Sequence, residues 1–166
     1  MPTVTSSMIG VNLTRVDAVD TPQFPLGTQV LATDGSLFEY CTCLSSIAQY
    51  NVVRINEDGQ ASNAESTNLA AGAAGNTGKI GYAQVSMTIS TYAWIQRSGK
   101  GVIRVLANCQ DYVPLFATTT AGSVDDVTIS EMLLLGLRTT TSITTASAVT
   151  AVGAAPVQLF PLANPA

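Results

Sequence analysis

The stretch that decides the fold runs over residues 80–107: Ile80-Gly81-Tyr82-Ala83-Gln84-Val85, then Ser90-Thr91-Tyr92-Ala93-Trp94-Ile95-Gln96, then Arg97-Ser98-Gly99-Lys100-Gly101, then Val102-Ile103-Arg104-Val105-Leu106-Ala107. Each apolar run is short, rich in β-branched and aromatic residues, and ends at Gly, Ser or a charge, as strands divided by turns do. Tyr92 and Trp94 lie two apart, so on a strand they share a face. Residues 97–101 read as a hairpin loop, with Val102–Ala107 returning antiparallel to Ser90–Gln96.

The same alternation continues outward. Gly27–Ala32 reads as a strand, Thr33-Asp34-Gly35-Ser36 as a turn, and Leu37–Cys43 as its hairpin partner. On that partner Leu37, Glu39, Cys41 and Cys43 share one face, and Phe38 and Tyr40 the other. Tyr50–Ile55 is a further strand, closed by the turn Asn56-Glu57-Asp58-Gly59. Residues 60–78, rich in Ala, Asn, Ser and Gly, read as a long loop with one helical turn near 64–71. Val113–Ala117 is a short strand that Pro114 confines to an edge or bulge, and 118–126 is a loop. Met132–Arg138 reads as a strand interrupted by Gly136, residues 142–155 as loop, and Val157–Phe160 as a last strand. Residues 1–25, with Pro2, Pro22 and Pro25, form an expected extended arm that orders against a neighbour, ahead of a single β domain over 26–166. No internal repeat stands out. The expected class is all-β, a sandwich or barrel.

Composition narrows the function. Hydrophobic residues make up 46% of the 166 and charged residues 11%, against about 25% in a usual soluble domain. A charge-poor surface suits burial against partners. No run approaches the roughly 20 apolar residues of a membrane-spanning helix. The seven Lys and Arg are scattered and the net charge is −4, so no cationic cluster is available to neutralise phosphates, and direct nucleic-acid binding is not expected. The first residues carry no secretory signal.

Catalytic chemistry finds little to work with. The chain has no His, the commonest general base and metal ligand. Cys41, Cys43 and Cys109 are expected to be small buried hydrophobes, since a thiol nucleophile would lack an imidazole and a zinc site would lack ligands. The glycines of 72–78 precede Lys79 but Ile80 stands where a phosphate loop needs a hydroxyl. Glu57 with Asp58, and Asp125 with Asp126, read as solvated turns, the second pair with some capacity for a hard cation. Tyr92 and Trp94 are expected in a core or interface; the alternative is a sugar-stacking platform. Asn12-Leu13-Thr14 matches a glycosylation sequon. No catalytic, cofactor-binding or metal residue is assigned, and the chain is not expected to be an enzyme.

Three stretches together resemble the bacteriophage head-decoration, or capsid cement, proteins. They are the hairpin from Leu26-Gly27-Thr28 through Asp34-Gly35 to Phe38-Glu39-Tyr40; Gly81–Val85 with Tyr92-Ala93-Trp94-Ile95-Gln96, Gly99 and Val102–Ala107; and Val105–Cys109 through Val113–Gly122 to Asp125-Asp126 and Gly136-Leu137. Pro156-Val157-Gln158-Leu159-Phe160-Pro161 closes the set, over roughly residues 26–162. The resemblance implies a jelly-roll or related β-barrel, no cofactor, and a structural virion protein made in the host cytoplasm. It implies binding to the major capsid protein lattice on the capsid exterior, as a homo-oligomer, dimer or trimer, with no membrane contact. A phage tail or baseplate β domain and a carbohydrate-binding or adhesive β module are the alternatives.

Overall fold

The computed structural model describes residues 10–70, 73, 74, 78–127 and 133–158. It holds twelve strands and one four-residue helix: β1 (Val16–Asp17), β2 (Gln29–Leu31), β3 (Leu37–Cys43), β4 (Val52–Ile55), β5 (Gln60–Asn63), α1 (Ser66–Leu69), β6 (Lys79–Ala83), β7 (Tyr92–Gln96), β8 (Gly99–Val105), β9 (Leu115–Ala117), β10 (Val124–Asp125), β11 (Leu133–Thr139) and β12 (Ser147–Gln158). The chain is all-β, as its alternating patches require.

The strands close into two rings. β3, β5, β4, β6 and β7 pair in that order, and β7 returns to β3. β8, β10, β9, β11 and β12 pair likewise, and β12 returns to β8. Closure leaves neither ring an open edge. The first barrel encloses Cys41, Cys43, Val53, Ile55, Ala61 and Ile95. The second encloses Ile103, Val105, Leu115, Ala117, Val124 and Ala151. Of the expected sandwich or barrel, the described strands form barrels, two of five strands each, with Val157 of one opposite Lys79 of the other.

The two barrels are copies of one topology. In each, the first strand runs parallel to the third and antiparallel to the fifth, and the second lies between the third and fourth. The registers correspond. Thr42 opposite Tyr92 is matched by Arg104 opposite Ala148, Ile55 opposite Ala61 by Ala117 opposite Val124, and Ala83 opposite Ile95 by Thr139 opposite Ala151. The loops correspond too: the Tyr50 amide donates to the Ala83 carbonyl as Tyr112 does to Thr139, and Leu44 donates to Ala61 as Leu106 does to Val124. Tyr50 and Tyr112 both take positive φ, at 72° and 56°, and Gly59 and Gly122 both take 74°. Positive φ at a tyrosine is uncommon, so its recurrence at matched positions marks a duplicated backbone. No residue repeat announces it, because the shared property is which positions are buried.

Several expectations are corrected. Residues 97–101 do not form a hairpin: β7 belongs to the first barrel and β8 to the second, and this stretch is the junction between them. The supposed loop at 60–78 opens with β5, which pairs β3 in parallel and β4 in antiparallel; the helical turn follows as α1. The supposed loop at 142–155 is largely β12, whose inward positions Val149, Ala151 and Gly153 alternate with Val152 outside. Small residues satisfy the narrow interior while hiding the strand pattern. The strand at 132–138 does form, as β11, with Gly136 at positive φ beside a register shift. Met132, Leu159 and Phe160 lie outside the described residues.

Residues of the 10–25 part of the expected arm pack against their own chain. β1 pairs with β7, and Leu13 is buried. Phe24 packs on Tyr40 and Trp94 at ring-centre distances of 5.5 and 5.1 Å. Phe38 and Tyr40 face away from the barrel interior, so this layer and β2 cover what would otherwise be an exposed aromatic face. Residues 1–9 lie outside the described residues.

The face of β3 that points inward carries a charge. Glu39 is 1% exposed, 3.5 Å from both Lys79 Nζ and Arg97 Nε, and Arg97 is itself buried. Arg97 also donates to the Ile80 carbonyl at 2.7 Å. Burial lowers the Arg97 pKa, and Glu39 opposes that shift. Glu39→Ala is expected to cost about 3–5 kcal/mol by leaving Arg97 buried without its counter-charge. Urea unfolding measures this; a loss below about 1 kcal/mol would mean that water reaches the guanidinium.

Candidate functional site

Two features of the surface and its underlying layer bear on function: an aromatic cluster under the 10–25 segment, and the apolar side chains left outside both barrels. In the cluster, Tyr40 and Trp94 lie 5.1 Å apart and Tyr40 stacks on Tyr92 at 6.1 Å. Tyr40 Oη donates to Asp17 Oδ2 at 2.5 Å and accepts from the Gln23 amide at 3.2 Å. Arg15 Nε donates to the other Asp17 oxygen at 2.6 Å. Burial first, then the hydrogen bond to Asp17, pushes the Tyr40 hydroxyl up to about 12. A recess of about 400 Å³ opens beside it, lined by Val11, Arg15, Asp17, Gln23, Phe24 and Trp94 among others.

Trp94 is 2% exposed and Tyr92 half-buried. The pair therefore belongs to a core layer, as the first reading of their spacing expected. A flat stacking platform for a sugar needs an open ring face, and Phe24 lies over this one.

The remaining sequence candidates are placed apart. Cys41, Cys43 and Cys109 are all free and buried. Burial raises all three thiols, Cys109 to about 11 with help from Asp126 and Asp125. Burial therefore lowers the nucleophilicity of all three thiols. Glu57 and Asp58 sit exposed in a turn organised by Asn56, whose Oδ1 accepts from the Asp58 and Gln60 amides. The Asn12 side chain is engaged by the Thr14 amide and hydroxyl at 3.0 and 2.8 Å. Of residues 72–78, Gly72 and 75–77 lie outside the described residues.

Asp125, Asp126 and Cys109 do converge, their ligand-type atoms lying within 4.8 Å of one another. Backbone donors already use these carboxylates: Asp126 Oδ2 accepts from Gln110 N at 3.0 Å, and Asp125 Oδ1 accepts from Asp126 N at 2.9 Å. The group thus ties the loop after β8 to the end of β10. Sequence reading paired the two aspartates but missed Cys109, which only the fold brings alongside.

Outside the barrels, Leu31, Leu44, Ile89, Tyr112, Val127 and Val152 are large apolar side chains left exposed. Meanwhile Asp17, Glu39 and Arg97 are withdrawn from water. The surface is therefore poorer in charge and richer in apolar area than the composition alone conveys. No protein-family model, curated protein or solved structure matches the chain.

Two outcomes are expected. Trp94→Ala is expected to cost about 3–5 kcal/mol by opening a cavity under Phe24 and Tyr40. Free quenching of Trp94 fluorescence by iodide in the native protein would contradict its burial. For Asp125, burial and the neighbouring Asp126 carboxyl raise its pKa above the usual range, against the Asp126 amide. A raised carboxyl pKa favours the protonated folded state, so stability falls as pH rises through the folded value. Asp125→Asn removes that loss. It is expected to raise the melting temperature at neutral pH and to leave it unchanged near about pH 3, below the unfolded value. An equal effect at both pH values would assign the change to packing.

Proposed function

We propose that this chain is a structural virion protein that decorates the exterior of a bacteriophage capsid and cements it by binding the major capsid protein lattice. The observation that carries the reading is the surface: exposed Leu, Ile, Val and Tyr side chains on both barrels, with buried charges held inside by named partners. Such a surface associates through apolar area and backbone contacts, with little dependence on ion pairs. The partner is taken from the ordered resemblance of the strand and turn motifs to capsid decoration proteins. The twin-barrel scaffold is consistent with the role, since closed sheets present fixed surfaces without open edges that would invite strand addition.

Mechanism then reduces to mass action. A protein that binds assembled shell and not its dissociated subunits stabilises the shell by linkage. Many weak copies on one particle need no single strong contact. Shells melted with and without the protein, over a salt series, test this. The expected result is a higher shell melting temperature at full occupancy and occupancy that changes little with salt. Unchanged shell stability at full occupancy would remove the cementing role and leave adhesion or display. Release by moderate salt would overturn the apolar interface.

A further inference from the structure

Besides the Lys79–Val157 pairing and the apolar cluster that spans both barrels, the first barrel holds the second along the edge of β8. β8 presents its backbone to the first barrel, where the Arg104 amide donates to the Tyr50 carbonyl at 2.8 Å. Gln84 takes the place of a strand: its Nε2 donates to the Val102 carbonyl at 3.0 Å and its Oε1 accepts from the Val102 amide at 3.3 Å. Gln96 Nε2 donates to the Lys100 carbonyl at 3.1 Å, and Tyr82 Oη to the Gly99 carbonyl at 2.7 Å. A Cβ at Gly101 would collide with Tyr82 and Gln96, so the contact is close enough to require glycine.

The duplicated topology gives the second barrel the same face. The matched registers put Arg138 and Val152 where the first barrel has Tyr82 and Gln96, and Tyr112 where it has Tyr50. Thr140 follows as the counterpart of Gln84. In the first barrel Tyr82, Gln84 and Gln96 are buried beneath β8. In the second, Tyr112 is 63% and Val152 46% exposed, and Arg138 is exposed. The Tyr112 carbonyl, counterpart of the one that receives the β8 amide, instead accepts from Arg138 Nη1 at 3.0 Å. An exposed, flexible guanidinium thus fills the place of a strand N–H.

We propose that this face of the second barrel receives an extended strand from a second copy of the chain, supplied by residues 1–9, Met1-Pro2-Thr3-Val4-Thr5-Ser6-Ser7-Met8-Ile9. The face continues, in the duplicated register, an interface the molecule already makes with seven-residue β8. Nine residues ahead of Gly10 are long enough to replace it. They carry no charged side chain, so they set no charge against the exposed Arg138, which shares the face with Tyr112 and Val152. Their β-branched and hydroxyl residues favour strand. Residues 159–166 suit the role less, because Pro161 and Pro165 remove amide donors within that run, whereas Pro2 leaves the seven residues 3–9 free of proline. The inference concerns self-association and does not rest on the capsid reading.

Sedimentation of the purified full-length chain is the test. Val152 lies opposite Lys100 and Arg138, so Val152→Asp replaces the apolar side chain of this face by a hydrated carboxylate, with two neighbouring cations to limit its cost to the barrel. The full chain is expected to associate. A chain lacking residues 1–9 and the Val152→Asp chain are each expected to self-associate at least about tenfold more weakly, with their own melting temperatures close to that of the full chain. Mixed together they should form a one-to-one complex, the arm of the second entering the intact face of the first. A synthetic peptide of residues 1–9 should compete with that complex. A full chain that stays monomeric at about 100 µM overturns the proposal. So does undiminished association of the truncated chain, or failure of two folded variants to combine.

Discussion

The edge of β8 is where the backbone of one barrel is completed by side chains of the other. One side of the strand pairs with β12; the other pairs with β10 at Val105 and is otherwise satisfied by Gln84, Gln96, Tyr82 and the Tyr50 carbonyl of the first barrel. A strand edge left unpaired in an interior carries a cost for each amide and carbonyl withheld from water. Side-chain amides provide an economical solution because a glutamine offers one donor group and one acceptor in nearly the geometry of a peptide. Gln84 uses both. The two barrels are therefore more than tethered: the backbone of one is completed by the side chains of the other, and Gly122 makes further backbone bonds across the seam, accepting from the Val52 amide and donating to the Ala64 carbonyl.

The corresponding edge of β3 in the first barrel has no preceding barrel to complete it. β2 takes that place, with Val30 opposite Phe38 and Gln29 opposite Glu39. The 10–25 segment then covers the outward aromatics of β3 and β7. The N-terminal part of the chain thus acts for the first barrel as the first barrel acts for the second, in the manner of a cap on a repeat array. β2 is only three residues long, and shortness limits what its outer edge can recruit.

How much of this was legible in the sequence follows from what each strand buries. β3 and β7 were plain because Phe38, Tyr40, Tyr92 and Trp94 alternate with smaller residues and fill a second layer outside the barrel. β5 and β12 were not, for opposite reasons. β5, Gln60-Ala61-Ser62-Asn63, is a strand because β3 and β4 need its backbone, and it buries only Ala61 deeply. β12 does alternate, but its inward residues are small, and small residues separated by Thr and Ala read as loop. The false hairpin at 97–101 had the right turn chemistry and the wrong partners: local signals specify a reversal, not which strand is met after it. The contacts of the 10–25 segment are not legible in the sequence, because Leu13, Asp17 and Phe24 act through single contacts that follow no period.

The candidate surface was legible in part. Low charge in the composition pointed to an associating protein, and burial of Glu39, Arg97 and Asp17 sharpens that reading. Glu39 sits on the inward side of β3 in register with Cys41 and Cys43, where alternation alone would put an apolar residue. Its counterpart by register in the second barrel is Gly101, which needs no counter-charge and admits Tyr82 and Gln96. The same position is thus solved by an ion pair in one barrel and by absence of a side chain in the other. The two barrels share a backbone path, while each interior is filled according to what lies against it. This explains why the repeat is visible in hydrogen-bond register and backbone angles and invisible in residue identity.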